Sequence, residues 1–270
     1  IRRPPRSTQG VSSAASDVYK RQAEVSDLIF TSLPGPKEVE SVVLGPDGIL
    51  EGIKPGSVYA DTSTNSPSVI RRIGKELDKQ EASTIDAPVS GGVWGAESGS
   101  LSIMVGGSKE VFDQCQGIFK DLGKRITYCG ASGMGQVTKL VNQIIVAGTL
   151  AAVSEGLTFA AKAGADLDAV LEAVSGGAAS SWQLENLGPR IISGDFEPGF
   201  RVRLQQKDLR IIMDSANNMN LPLITTPLVQ QMFRVLESTN RGEEGTQAYV
   251  KVIEELGGVE ARRPLDQGTE

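Results

Sequence analysis

Residues 133–164 read GMGQVTKLVNQIIVAGTLAAVSEGLTFAAKAG, a run of Val, Ile, Leu and Ala that predicts one long helix from 137 to about 163. Its apolar residues fall on every side, the pattern of a helix buried all round rather than of an amphipathic surface helix. A membrane span competes for such a stretch, but Asn142, Gln143, Glu155 and Lys162 interrupt it before about 18 clean apolar residues accumulate. No membrane association is expected.

On either side of this run the chain changes character. From residue 26, short β-rich runs (SDLIFTSL, SVYADTS, STIDAPVS, SLSIMVGG and RITYC) alternate with helical patterns at 36–44, 66–80 and 109–122. That rhythm predicts an α/β domain with a largely parallel sheet. After Gly130 the β signals stop, and helices are expected at 167–174, 181–192, 204–219, 227–238 and 246–256, punctuated by Gly176-Gly177, Gly194, 220–222 and 240–242. The expected domains are therefore 23–132, α/β, and 133–260, all-α, with ARRPLDQGTE (261–270) a frayed tail.

Residues 1–22, IRRPPRSTQGVSSAASDVYKRQ, are basic and Ser-rich, carry no apolar core-forming run and are expected to lie outside the fold. They look like translated adapter or vector sequence, with native sequence beginning near Ala23.

Composition narrows the chemistry. The 270 residues include no histidine, so acid and base work falls to Lys, Asp, Glu, Tyr or Cys. Cys115 and Cys129 lack the spacing of a zinc site or a disulfide framework, which points to no metal and to a reducing, cytoplasmic compartment. A net charge of -6 with acids and bases interspersed argues against nucleic acid as a partner.

Lys139 is a lone ammonium in the first turns of the long helix, where the helix dipole and desolvation both disfavour its charged form and should lower its pKa. Asn142, three residues on, shares its face and can orient the amine or a substrate hydroxyl. The plainer alternative is a lysine that snorkels to the surface beside an amide capping a carbonyl; the helix alone leaves both open. Ser90-Gly91-Gly92 ends a strand with two residues that let backbone N–H groups approach a carboxylate, though glycine pairs also make ordinary loops. Leu33-Pro34-Gly35-Pro36 and Asp61-Thr62-Ser63-Thr64 follow apolar strands and would line the same sheet edge, where open α/β sheets bind ligands. Read plainly, they are a Pro-Gly turn and a helix cap.

In this order, SLPG, DTSTNSP, DAPVSGGVWGAESGSLSIMVGG, GMGQVTKLVNQ and FRVRLQQKDL resemble the β-hydroxyacid dehydrogenase family over residues 23–258, and KLVNQIIV with VSEGLTFAAKAGAD looks closest to its tartronate semialdehyde reductase branch. The resemblance implies a Rossmann-type sheet, here without its first β-α-β portion, followed by an all-helical domain. It implies NAD or NADP, a small carboxylate substrate, and assembly as a homodimer or homotetramer through the helical domain. It makes Lys139 the catalytic residue with Asn142 beside it, Ser90, Gly91 and Gly92 the carboxylate site, and Leu33, Pro34, Thr64 and Lys207 the cofactor contacts.

Departures from the family pattern bear on this reading. No G-x-G-x-x-G turn precedes Ala23, and the residue that separates NAD from NADP is not found. Gln143 stands where some relatives carry a second asparagine, which opens the choice of substrate. The expected activity is interconversion of a short β-hydroxy acid and its semialdehyde. The rivals are a non-catalytic fragment or binding protein unable to hold a dinucleotide, and an imine reductase on the same architecture.

Overall fold

The computed structural model describes residues 13–263, which divide into two units: one comprises the chain up to Gly91 together with Ser98–Lys139, the other Gly92–Glu97 and the chain from Leu140 onward. The division falls inside the long helix, after Lys139, rather than ahead of it at 132. It also assigns a six-residue piece of the first domain's sequence to the second unit.

In chain order the first unit runs α1 (Ser13–Glu24), β1 (Leu28–Thr31), α2 (Pro36–Leu44), α3 (Ile49–Gly52), β2 (Val58–Asp61), α4 (Pro67–Asp78), β3 (Ser83–Asp86) and β4 (Val89–Ser90). Next comes α5 (Gly92–Glu97), which belongs to the second unit, followed by β5 (Leu101–Gly107), α6 (Lys109–Leu122), β6 (Gly123–Gly130) and the start of α7 (Met134–Lys162). Strands β1, β2 and β3 pair in parallel, as do β5 and β6. β5 runs antiparallel to β3 and β4, so the sheet is parallel-dominated but not wholly parallel. The cause lies in the 91–100 connection, which holds only the single short helix α5, whereas a parallel crossover needs about a dozen residues or more.

β2 is buried along its whole length, and its alternation feeds both layers. Tyr59 packs with Ile29, Val39, Val43, Ile73 and Leu77 on one face, while Val58 and Ala60 pack with Ile85, Ile103, Phe112 and Phe119 on the other. α4 turns Ile70, Ile73, Gly74 and Leu77 inward, the spacing of one helical face. Neither Cys115 nor Cys129 is paired.

Residues 1–12 and 264–270 lie outside the described residues, so the leader and tail expectations can be set against the structure only in part. Residues 13–22, expected to lie outside the fold, form most of α1. Lys20 N–H donates to the Asp47 carbonyl at 3.1 Å, Ala23 is fully buried, and Gly52 lies so close to the Lys20 carbonyl that a Cβ would overlap it. The segment from Ala14 to Gln22 holds no Gly or Pro, so nothing local opposes a helix there. At the other end, Ala261 is buried, Arg262 pairs with Glu254 and Arg263 with Asp168. Residues 261–263 are therefore packed rather than frayed.

The second unit continues α7 and adds α8 (Leu167–Ser175), α9 (Trp182–Ser193), α10 (Val202–Asn218), α11 (Thr225–Ser238), a 3-10 turn (Thr246–Ala248) and α12 (Tyr249–Gly257). Asp166 caps α8 and Ser181 caps α9 through their side-chain oxygens. Leu140, Ala147, Leu150, Leu157 and Ala160 of α7 enter a core with Leu187, Ile191, Leu209, Phe233 and Tyr249. The helix is not buried all round, however: Val137, Val141, Ile145 and Phe159 are 37%, 50%, 61% and 77% exposed and form an outward apolar stripe. By length and hydropathy alone its 29 residues would pass as a membrane span despite the polar interruptions. Its inner face instead packs among the helices of this unit.

Gly135, in the first turn of α7, has no room for a side chain. A Cβ there would overlap the Met104 carbonyl and stand 2.6 Å from the Asp86 carbonyl. Gly135→Ala is expected to lower stability by about 1–3 kcal/mol in denaturant titration; an unchanged midpoint would show that this contact is not close.

Candidate active site

Three side chains stand in register at the carboxyl ends of β1, β2 and β3: Thr31 opposite Asp61, and Asp61 opposite Asp86. Both carboxylates are fully buried, which demands partners. Asp61 accepts from Thr31 Oγ1 at 2.9 Å, Ser63 N–H at 3.0 Å and Asn65 Nδ2 at 3.0 Å. Asp86 accepts from the backbone N–H groups of Gly133 and Gln136, each at 2.8 Å. These are otherwise unpaired donors at the start of α7, so Asp86 caps that helix from a distant strand. Gln136 completes the plug: its Oε1 accepts from Asn65 N–H at 2.8 Å and its Nε2 donates to the Ser63 carbonyl at 2.9 Å.

This plug carries the predicted residues of the first unit. Leu33 N–H donates to Ser63 Oγ at 2.8 Å, stitching the turn that holds Leu33 and Pro34 to the turn that holds Thr64. Lys139 follows Gln136 by three residues on α7 and is 6% exposed, so it is buried rather than snorkelling. Ser90 follows Asp86 by four residues. Gly91 and Gly92 take φ of +133° and +63°, values that favour glycine, and both are exposed. One buried aspartate thus anchors both the strand leading into the glycine loop and the helix bearing the lysine.

In the second unit Asn142 and Lys207 are joined through residues between them. Asn142 Nδ2 donates to Gln143 Oε1 at 2.8 Å, Gln143 Nε2 donates to Asp208 Oδ2 at 2.6 Å, and Lys207 Nζ stands 2.8 Å from Asp208 Oδ1. Gln143, noted in the sequence only as a departure from a second asparagine, is 3% exposed and ties α7 to α10. Trp94, two residues beyond Gly92, meets Trp182 with ring centroids 6.2 Å apart and lies against Gly199, where a Cβ would come within 2.8 Å of the indole.

Sequence reasoning named Asp61 only as part of a sheet-edge turn and missed Asp86, Gln136 and Asp208. The available signal was that SVYADTS and STIDAPVS each end a buried strand on an acid. Burial is the main influence on both strand-end carboxyls. It pushes Asp86 up to about 6 against its two backbone hydrogen bonds, and it raises Asp61 as well.

The chain is similar to known proteins over most of its length. Residues 6–130 match the model of the NAD binding domain of 6-phosphogluconate dehydrogenase, and residues 133–253 match that of the NAD-binding domain of NADP-dependent 3-hydroxyisobutyrate dehydrogenase. The chain is 40% identical over 238 residues to 2-hydroxy-3-oxopropionate reductase of Escherichia coli (strain K12), covering 88% of this chain and 82% of that protein. It is 36% identical over 246 residues to 2-(hydroxymethyl)glutarate dehydrogenase of Eubacterium barkeri, covering 91% and 82%. A solved 3-hydroxyisobutyrate dehydrogenase from Salmonella typhimurium superposes with a TM-score of 0.78 at 28% identity, over 86% of this chain and 81% of that one.

With its pKa raised on folding from 3.8 to about 6, Asp86 holds its proton more tightly in the native state than in the unfolded chain. Its contribution to stability is therefore greatest below about pH 4, declines as pH rises to about 6, and is flat above, a change on the order of 3 kcal/mol. Denaturant titrations from pH 4 to 7 should show a shallower decline for Asp86→Asn than for the parent. Parallel profiles would refute the assignment.

Proposed function

The chain belongs to the β-hydroxyacid dehydrogenase family, and from that premise we propose that Lys139 moves the proton as a short β-hydroxy acid and its semialdehyde, of the 3-hydroxyisobutyrate or tartronate semialdehyde type, are interconverted. The chain is an NAD(P)-dependent oxidoreductase acting on a CH–OH group. The observation that supports Lys139 most directly is its burial in the second turn of a helix whose first turn is pinned by Asp86.

The residues at the sheet edge fit a dinucleotide. Leu33 and Pro34 present a partly exposed apolar turn suited to a planar ring, and the neighbouring turn, stitched to it, offers the Thr64 hydroxyl. These residues, with Lys207, would hold NAD or NADP, which supplies or takes up the hydride when bound. In the reducing direction the Lys139 ammonium polarises the carbonyl and gives its proton to the nascent alkoxide; in reverse the neutral amine accepts the hydroxyl proton. Asn142 orients the substrate oxygen. Ser90, Gly91 and Gly92 hold the carboxylate through backbone N–H groups and the serine hydroxyl. The outward stripe of α7, Val137, Val141, Ile145 and Phe159, offers a second copy an apolar face, in keeping with a homodimer or homotetramer.

Lys139→Ala should lower kcat by on the order of 10²–10⁴ while leaving cofactor affinity within about twofold. Unchanged turnover sinks the mechanism. The carboxylate loop has its own test, because Trp94 and Trp182 are the chain's two tryptophans. In Trp182→Phe the remaining indole reports from two residues past Gly92, and its emission should change on adding a β-hydroxy acid without cofactor. A flat emission titration, alongside measurable turnover at the same concentrations, would move the carboxylate elsewhere.

A further inference from the structure

We propose that Asp208 and Gln143 are positioning residues that set, from the core of the helical unit, which atom of Asn142 faces the substrate and where the Lys207 ammonium stands. The proposal rests on the reading of Asn142 as a substrate contact and Lys207 as a cofactor contact.

The argument is one of polarity along a buried chain. Asp208 is 1% exposed and an ionised carboxylate only accepts hydrogen bonds. Gln143 must therefore turn its Nε2 toward Asp208 Oδ2, at 2.6 Å, which leaves its Oε1 toward Asn142. An amide oxygen also only accepts, so Asn142 must present Nδ2 to it, at 2.8 Å. That bond leaves Asn142 with its Oδ1 and a second Nδ2 hydrogen for a substrate hydroxyl. The carboxylate at the far end thereby removes the flip ambiguity of two amides in succession. Its other oxygen stands 2.8 Å from Lys207 Nζ, so the same charge that orients Asn142 also holds Lys207. Gln205, fully buried on α10, flanks the chain, its Oε1 lying 3.5 Å from Gln143 Nε2. In such surroundings a misdirected amide has no water to turn to.

Each link has its own signature. Gln143→Leu cuts the chain between Asn142 and Asp208 but leaves the Lys207 pair, so kcat/KM for the hydroxy acid should fall about tenfold or more with cofactor Kd within about twofold. Asp208→Asn keeps the shape but removes the charge that dictates direction, and should move both the cofactor Kd and the hydroxy-acid kcat/KM by about tenfold. Loss of packing alone would shift both constants in both variants, in step with melting temperature.

Asn142→Ala and Lys207→Met, measured alongside, report on the underlying reading. If those two shift their respective constants while Gln143→Leu and Asp208→Asn change nothing, or change everything in step with stability, the relay is refuted and the site stands. If Asn142→Ala and Lys207→Met are silent as well, the site reading falls and the relay with it.

Discussion

The carboxylate of Asp86, fully buried and accepting the N–H groups of Gly133 and Gln136, is the interaction that ties the sheet edge of the first unit to the start of α7. A strand end and a helix start could be joined by apolar packing alone, but packing tolerates slippage, whereas two hydrogen bonds into a buried anion fix both distance and rotation. The geometry is enforced sterically as well, since Gly106 and Gly135 both approach the Asp86 carboxylate too closely for any Cβ. Because Ser90 lies four residues after Asp86 and Lys139 three after Gln136, the glycine loop and the lysine inherit their positions from one side chain.

That arrangement carries an energetic cost, seen in the upward shift of Asp86 and the parallel shift of Asp61 opposite it on the neighbouring strand. Two acids side by side at the carboxyl ends of buried strands would be untenable without the donors that Thr31, Ser63, Asn65, Gly133 and Gln136 supply. Structure at a site is commonly held this way, with strain or desolvation accepted where position matters more than stability. The helical unit repeats the device with Asp208, a carboxylate 1% exposed that organises amides around it.

Much of the fold was legible in the sequence because its signals are local. Helices at 36–44 and 109–122 agree with the structure to the residue, since Gly35-Pro36 and Ser108 mark their starts and Gly45 and Gly123 their ends. The direction of β5 was not legible, because an apolar run reads the same up or down and only the length of the 91–100 connection distinguishes the two. Nor was the outward stripe of α7: Val141 and Ile145 look in sequence like the Leu140 and Ala147 that face inward. Lys139 stood out because a single charge in an apolar run has few explanations. Asp86 did not, because an acid closing a strand before Ala-Pro resembles ordinary turn chemistry, and its partners lie 47 and 50 residues away. The tie from Gln143 to Asp208 was hidden for the same reason, its partner being 65 residues distant.

The absence of histidine from the chain gives these buried carboxylates their sense. An imidazole serves as donor or acceptor near neutral pH with little help, whereas a lysine amine must be placed accurately to exchange a proton with a particular oxygen. Placement is what the observed networks supply: Asp86 and Gln136 anchor the helix turn that leads to Lys139, while Asp208 and Gln143 orient the amide one turn further along the same helix. The two networks share no residue and lie in different units, yet each uses a desolvated anion to dictate the direction of neutral donors. On the proposed mechanism, the flexible amine of Lys139 is held by groups that need never touch the substrate.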